Sequence, residues 1–113
     1  MPKPGEDMIR GTLDMLILRV VSTEPMHGWG IGERIQQLSG DALQVGQGSL
    51  YPSLHRLTRE GRIRSEWRVT ENNRKARYYI LTPAGERQLG LERRQWEKLS
   101  SAVDRVMRTA EGT

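Results

Sequence analysis

The sequence predicts a mainly α, α+β fold, with three short helices, a β-hairpin and a long terminal helix in that order. Three observations predict it. Apolar residues recur at helical spacing in stretches entered at Met8, Ile31 and Ser49, the period changes from 3.6 to 2 over residues 63–81, and an a/d stripe occupies the last segment. The 113 residues suffice for one domain with an appended helix and are too few for two. With 35% hydrophobic and 28% charged residues, the chain is polar but within the globular range. It has no cysteine, which excludes a disulfide scaffold, a thiol nucleophile, an iron–sulfur cluster and a Cys-based zinc site. The longest apolar run, Met15–Leu18, is far too short to span a bilayer.

Residues 1–7 lack the layout of a secretory signal and are expected to fray, so a cytoplasmic location is the expectation. From Met8, the positions Ile9, Leu13, Leu16, Ile17, Val20 and Val21 form one stripe of an amphipathic helix. Pro25 ends it, because the residue before a proline is pushed out of the helical region. Ile31, Ile35 and Leu38 mark a second helix that stops at Ser39-Gly40-Asp41. Gly28, Gly30 and Gly32 in its first turn are costly in helix propensity and point to another backbone packed very close. They also resemble a phosphate loop, but no Lys-Ser or Lys-Thr follows and no strand is evident before them.

After a turn over residues 42–48, Ser49 is expected to cap a third helix, with Pro52 in its first turn and Gly61 as its C-terminal cap. Leu50, Leu54 and Leu57 form its buried row. The opposite face carries Pro52, His55, Arg56 and Arg59, and the N-terminal end presents Gln47, Ser49 and Tyr51. Next, Ile63, Ser65, Trp67 and Val69 alternate with Arg64, Glu66 and Arg68, a half-buried strand. Thr70–Lys75 is a loop, and Ala76–Leu81 is the returning strand. The phase assigns Trp67 and Tyr78 to the core and leaves Tyr79 outside.

Thr82-Pro83 opens the last helix, which should run to about Arg108. Trp96, Leu99, Val103, Val106 and Ala110 are spaced 3, 4, 3, 4, with Leu89 one heptad before Trp96 and Glu92 interrupting the seam. Such a stripe can pack on the chain's own domain, but its narrowness fits a second helix better. The expected organisation is therefore a core domain over 8–82 and a dimerisation helix over 83–110, the latter pairing through Leu89, Trp96, Leu99, Val103 and Val106.

Charge is unevenly spread. Residues 46–82 carry 8 basic and 3 acidic side chains, whereas residues 1–45 carry 4 and 6 and residues 83–113 carry 6 and 5. Seven of the eight central bases are Arg, whose planar fork suits phosphates and guanine edges; a merely solvated basic face is the plain alternative. Three helices followed by a hairpin is the order of a winged helix-turn-helix, whose third helix fits a major groove. In that arrangement Arg74, Lys75, Arg77 and Arg59 anchor phosphates, and Gln47, Ser49, Tyr51, Pro52, His55 and Arg56 lie near base edges. His27 is expected to be a helix cap or a packed imidazole. Neither His has a ligand partner at helical spacing, so no metal or cofactor is expected.

Gly48-Ser49-Leu50-Tyr51-Pro52 with His55-Arg56-Leu57 and Glu60-Gly61, then Trp67, then Arg74–Thr82 with Gly85, resembles the PadR family of bacterial transcriptional regulators. His27-Gly28-Trp29-Gly30-Ile31 matches that family's entry to the second helix, with Trp29 where Tyr is usual, and the likeness runs from about Leu13 to Met107. The resemblance implies a winged-helix repressor, homodimeric through its C-terminal helix, on an inverted-repeat operator in double-stranded DNA. It also implies similarity to the short subgroup, some members of which hold flat aromatic molecules between Trp residues of the paired helices. Trp96 stands on the equivalent helix, where a small aromatic effector is one role and a dimer core the other. Two other functions compete: a protein-interaction module whose Arg residues only solubilise, and a non-specific architectural DNA binder. An enzyme is the weakest class, since Ser49 has no evident activating base and no nucleophile–base pair can be assembled.

Overall fold

The structure is a computed structural model that describes the backbone of residues 4–112 and the side chains of residues 12–109. The element order is α1 (Pro4–Thr23), β1 (Met26–His27), α2 (Gly28–Leu38), α3 (Gln47–Arg59), β2 (Ile63–Val69), β3 (Lys75–Leu81) and α4 (Pro83–Gly112). The first helix begins at Pro4, so much of the segment expected to fray is helical; residues 1–3 and the Ile9 side chain lie outside the described set.

Helix α1 lies at the centre. Leu13, Ile17, Leu18, Val20 and Val21 are all buried, an arc wider than the expected stripe, because α2, α3, α4 and β3 all pack on this helix. Ile31 and Ile35 of α2, Leu50, Leu54 and Leu57 of α3, and Ile63 of β2 close the same core. Removing each such side chain from water stabilises the fold by roughly 1.5–3 kcal/mol, an upper estimate. Leu38 is not part of it; it ends α2 facing solvent. Both α2 and α3 end in a left-handed glycine cap. Gly40 (φ 61°) and Gly61 (φ 74°) donate to Gln37 O and Thr58 O, and the next residues, Asp41 and Arg62, donate to Gln36 O and Leu57 O.

Helix α3 starts three residues earlier than expected. Gly46 is its N-cap and makes no side-chain cap bond, so Ser49 is the third helical residue. Pro52 therefore sits a turn deeper, where its missing N–H leaves the Gly48 carbonyl without a helical donor.

Strands β2 and β3 fall close to the expected ranges, joined by a loop in which Asn73 adopts φ 59°. Two features were not expected. The two-residue β1 pairs with β3, giving an antiparallel sheet of order β1-β3-β2. The inner face also differs. Trp67 is opposite Arg77 and Ser65 opposite Tyr79, so Trp67 and Tyr78 are on different faces; Tyr79 is the buried one, at 5% exposure, and Trp67 is 63% exposed. Burial raises the Tyr79 phenol above its usual pKa. Only the base of the hairpin lies over the core, and its far half overhangs.

Thr82 caps α4 as expected. Its hydroxyl accepts from Gly85 N (3.1 Å) and donates to Gly61 O (2.6 Å), tying α4 to the end of α3. The first turns of α4 pack on the core through Leu89, whereas Trp96, Leu99, Val103 and Val106 further along are exposed; the molecule is 60 Å long and 27 Å across.

Candidate nucleic-acid interface

Helix α3 presents its leucines inward, so the period of the helix turns Gly48, Pro52, His55 and Arg59 outward. All four are exposed, and Gln47 is exposed beside them. Gly48 has open space where a Cβ would stand, so a ligand backbone could come close to the helix there. Ser49 and Tyr51 are half-buried at the flank of this face.

Arg56 is placed differently from the other bases. Its guanidinium donates two hydrogen bonds to the Asp14 carboxylate of α1, at 2.6 and 2.8 Å, and lies 3.5 Å from Glu60. The Asp14 bond, set against a smaller cost of burial, raises the pKa of Arg56 above its ordinary value. A charge held in this fork is committed to fixing the angle of α3 on α1. No sequence spacing announces a partner 42 residues away.

Tyr51, Arg74, Lys75 and Arg77 come together. With His27, Gly28, Trp29, Thr70, Asn72, Ala76 and Tyr79 they line an open groove of about 500 Å³ between α2, α3 and the hairpin. Gly28 forms its floor, since a Cβ there would stand 2.8 Å from the Tyr51 ring. The close approach expected at the glycines is thus made by a side chain rather than a backbone. Gly30 similarly faces His27, whose Nδ1 accepts from Gly30 N at 2.9 Å and caps α2. His27 also stacks on Trp29 and meets Tyr78 edge-on. The sequence reading missed the wall made by His27 and Trp29; the only trace was the departure from Tyr at position 29.

The electrostatics of the hairpin are two-sided. On one face Glu66 lies between Arg68 (2.5 Å) and Arg64 (3.4 Å), and those bonds, Arg68 first, hold its carboxyl below the usual range. On the other face, Arg77 and Lys75 have no carboxylate within ion-pair distance among the described residues, and the same is true of Arg74 at the loop end and Arg59 on α3. Arg74, Lys75 and Arg77 thus border the groove, and Arg59 the outer face of α3, with no carboxylate to neutralise them among the described residues. Unpaired fixed cations around a concave surface attract a polyanion and gain by neutralising it.

A central three-helix unit with an exposed third helix and a cationic hairpin beside it defines a winged helix-turn-helix. Comparison with known proteins narrows this. Residues 17–91 match the model of the PadR-like family of transcriptional regulators, and the chain belongs to that family. It is 37% identical over 94 residues to a Mycobacterium tuberculosis protein described as a transcriptional regulator, covering 83% of this chain and 84% of that one. Among solved structures, a PadR-like transcriptional regulator from Bacillus cereus superposes with a TM-score of 0.78 at 27% identity, covering 89% of this chain and 96% of the other. A transcriptional regulator from Clostridium thermocellum superposes with a TM-score of 0.80 at 25% identity, covering 88% and 96%. Among the described residues, no helix is long and apolar enough to cross a membrane.

Proposed function

We propose that the protein is a sequence-specific repressor that binds double-stranded DNA as a homodimer on an inverted-repeat operator. Residues 8–82 form the DNA-binding unit, and 83–110 form the dimerisation helix. The observation that carries this reading is the coincidence of the unpaired cations Arg59, Arg74, Lys75 and Arg77 with the exposed face of α3. In this reading α3 enters the major groove, with Gln47, Ser49, Tyr51, Pro52 and His55 near base edges and the four cations on phosphates. Arg56 serves by aligning α3 through Asp14 rather than by meeting bases.

The second copy is supported by α4. Exposure of its seam runs from 45% at Trp96 to 68% at Val106, and Leu99 and Val103 fall between, on a helix that has left the core behind. Leu89 differs, being half-covered by the chain's own core, and Ala110 lies outside the described side chains. Trp96 is assigned to the dimer core, the position where the family resemblance also sets an aromatic effector.

Selection of bound duplexes from a random pool tests the reading. The expected product is a two-fold symmetric sequence with half-sites about 34 Å apart, one turn of DNA. Retention of every duplex without enrichment would make the protein an architectural binder, and no retention at low salt would leave only the protein-interaction module. Dimerisation has a separate readout: Leu99→Asp with Val103→Asp is expected to halve the mass in sedimentation, and an unchanged dimer mass refutes the seam.

A further inference from the structure

We propose that Trp67 is a DNA contact of the hairpin, its indole lying against the sugar–phosphate edge of the duplex beside the α3 groove. The inference rests on the DNA-binding reading above and adds a residue that the sequence assigned to the core.

The register decides where the ring points. Opposed residues of an antiparallel pair share a face, so Trp67 with Arg77, and Val69 with Lys75, continue the face that carries Ile63 and Leu81 at the hairpin base. Arg77, Lys75 and Tyr79 of that same face line the groove with Tyr51. Trp67 therefore stands on the side of the hairpin turned toward α3, beyond the edge of the core. It is 63% exposed and Val69 61%, which leaves a large apolar ring in water in the free protein.

Arg77 lies over the indole with its guanidinium carbon 5.0 Å from the ring centre and reaches Ser65 Oγ at 3.5 Å. Stacking uses the faces of the guanidinium and leaves its N–H edge free to meet a phosphate. The opposite face of the hairpin has its own stacked pair, Arg68 over Tyr78, but there Glu66 holds Arg68. Of the two faces of the hairpin, the α3-facing one joins an exposed indole to unpaired cations. A polyanion with apolar sugar edges complements both parts: phosphates neutralise Lys75 and Arg77, deoxyribose covers the ring, and the indole N–H can donate to a phosphate oxygen.

The contact is to the backbone, so it adds affinity without reading sequence. Trp67→Ala is expected to weaken binding about ten-fold, equally for the selected operator and for an unrelated duplex at the same salt, the order that partial burial of an aromatic ring and one hydrogen bond supply. The salt dependence should stay as in the wild type, because no charge is removed. Trp67→Phe should recover most of the affinity. Acrylamide quenching of the part of the emission that Trp67→Phe removes should fall when duplex is added to the wild-type protein. Wild-type affinity in Trp67→Ala, a loss confined to the operator, or unchanged quenching each overturns the proposal while leaving DNA binding in place. Failure of the wild-type protein to bind any duplex overturns both.

Discussion

Gly85→Ala is expected to destabilise the protein by about 3 kcal/mol, the upper end of the usual cost of overpacking. A Cβ at Gly85 would stand 1.9 Å from the Arg62 carbonyl oxygen and 2.7 Å from a methyl of Leu81. The obstacle is backbone, so no side-chain rotation relieves it. Withdrawal of the helix is also blocked. Arg62 O accepts from Thr82 N (3.2 Å), Gly85 N donates to the Thr82 hydroxyl, and that hydroxyl donates to Gly61 O. Moving α4 away breaks the cap that positions it, and leaving it in place keeps the clash. For a domain of this size the melting temperature should fall by roughly 10 °C, compared at equal protomer concentration because a dimer's midpoint depends on it. Gly90→Ala supplies the contrast in the same helix. Among the described residues its Cβ would meet only Arg94 Nη1, at 3.5 Å, and the gain in helix propensity should leave stability unchanged or raised by about 0.5–1 kcal/mol. Equal melting of Gly85→Ala and the wild type would mean that α4 does not seat on Arg62 as described.

Helix α4 is fixed at its first turn to the end of α3, so the directions of these two helices are set by one small cluster of hydrogen bonds. If α4 pairs two copies and α3 reads DNA, as proposed, half-site spacing depends on that angle, and a change at Gly85 or Thr82 would reach DNA recognition without touching DNA.

The order of elements was legible because it rests on periodicity, and periodicity survives in a single sequence. The leucine row of α3, the Gly61 cap, the Thr82 cap and the exposed α4 seam all have local causes within a few residues. What escaped the sequence has causes that are not local. β1 has two residues, too few to show any period, and exists because β3 offers an edge at Tyr78 and Tyr79. Alternation along β2 and β3 shows two faces but not the register that joins them: Trp67 shares its face with Tyr79 rather than Tyr78, and on that face Tyr79 lies over the core while Trp67 stands beyond its edge. Helix α3 begins at Gln47 without a side-chain cap, so no capping residue marks its start. For the interface, the cationic hairpin was legible as a run of charge. The withdrawal of Arg56 toward Asp14, and the pairing of Arg64 and Arg68 by Glu66, required coordinates.

Replacing Arg74, Lys75 and Arg77 together by Ala is expected to lower affinity for the operator by roughly a hundred-fold or more near 0.1 M salt and to flatten its salt dependence. Removing one cation from its phosphate should reduce the slope of log K against log salt by about 0.9. In a dimer every substitution acts twice, so the change in slope should be well outside experimental scatter. The structure also supplies the control that separates a site from mere net charge. Arg64→Ala with Arg68→Ala removes two cations from the same hairpin, but from the opposite face, where both are paired to Glu66. If binding depends on cations aimed at the duplex, the second variant keeps nearly wild-type affinity and slope. If it depends only on the overall positive field, both variants weaken binding in proportion to the charge removed, and the groove between Tyr51 and the hairpin loses its role. The triple variant should lose little of its melting temperature, since all three side chains are exposed, none has a carboxylate partner among the described residues, and the stack of Arg77 on Trp67 is itself in solvent. Weaker binding at constant stability then locates the phosphate anchors on the α3-facing side of the hairpin.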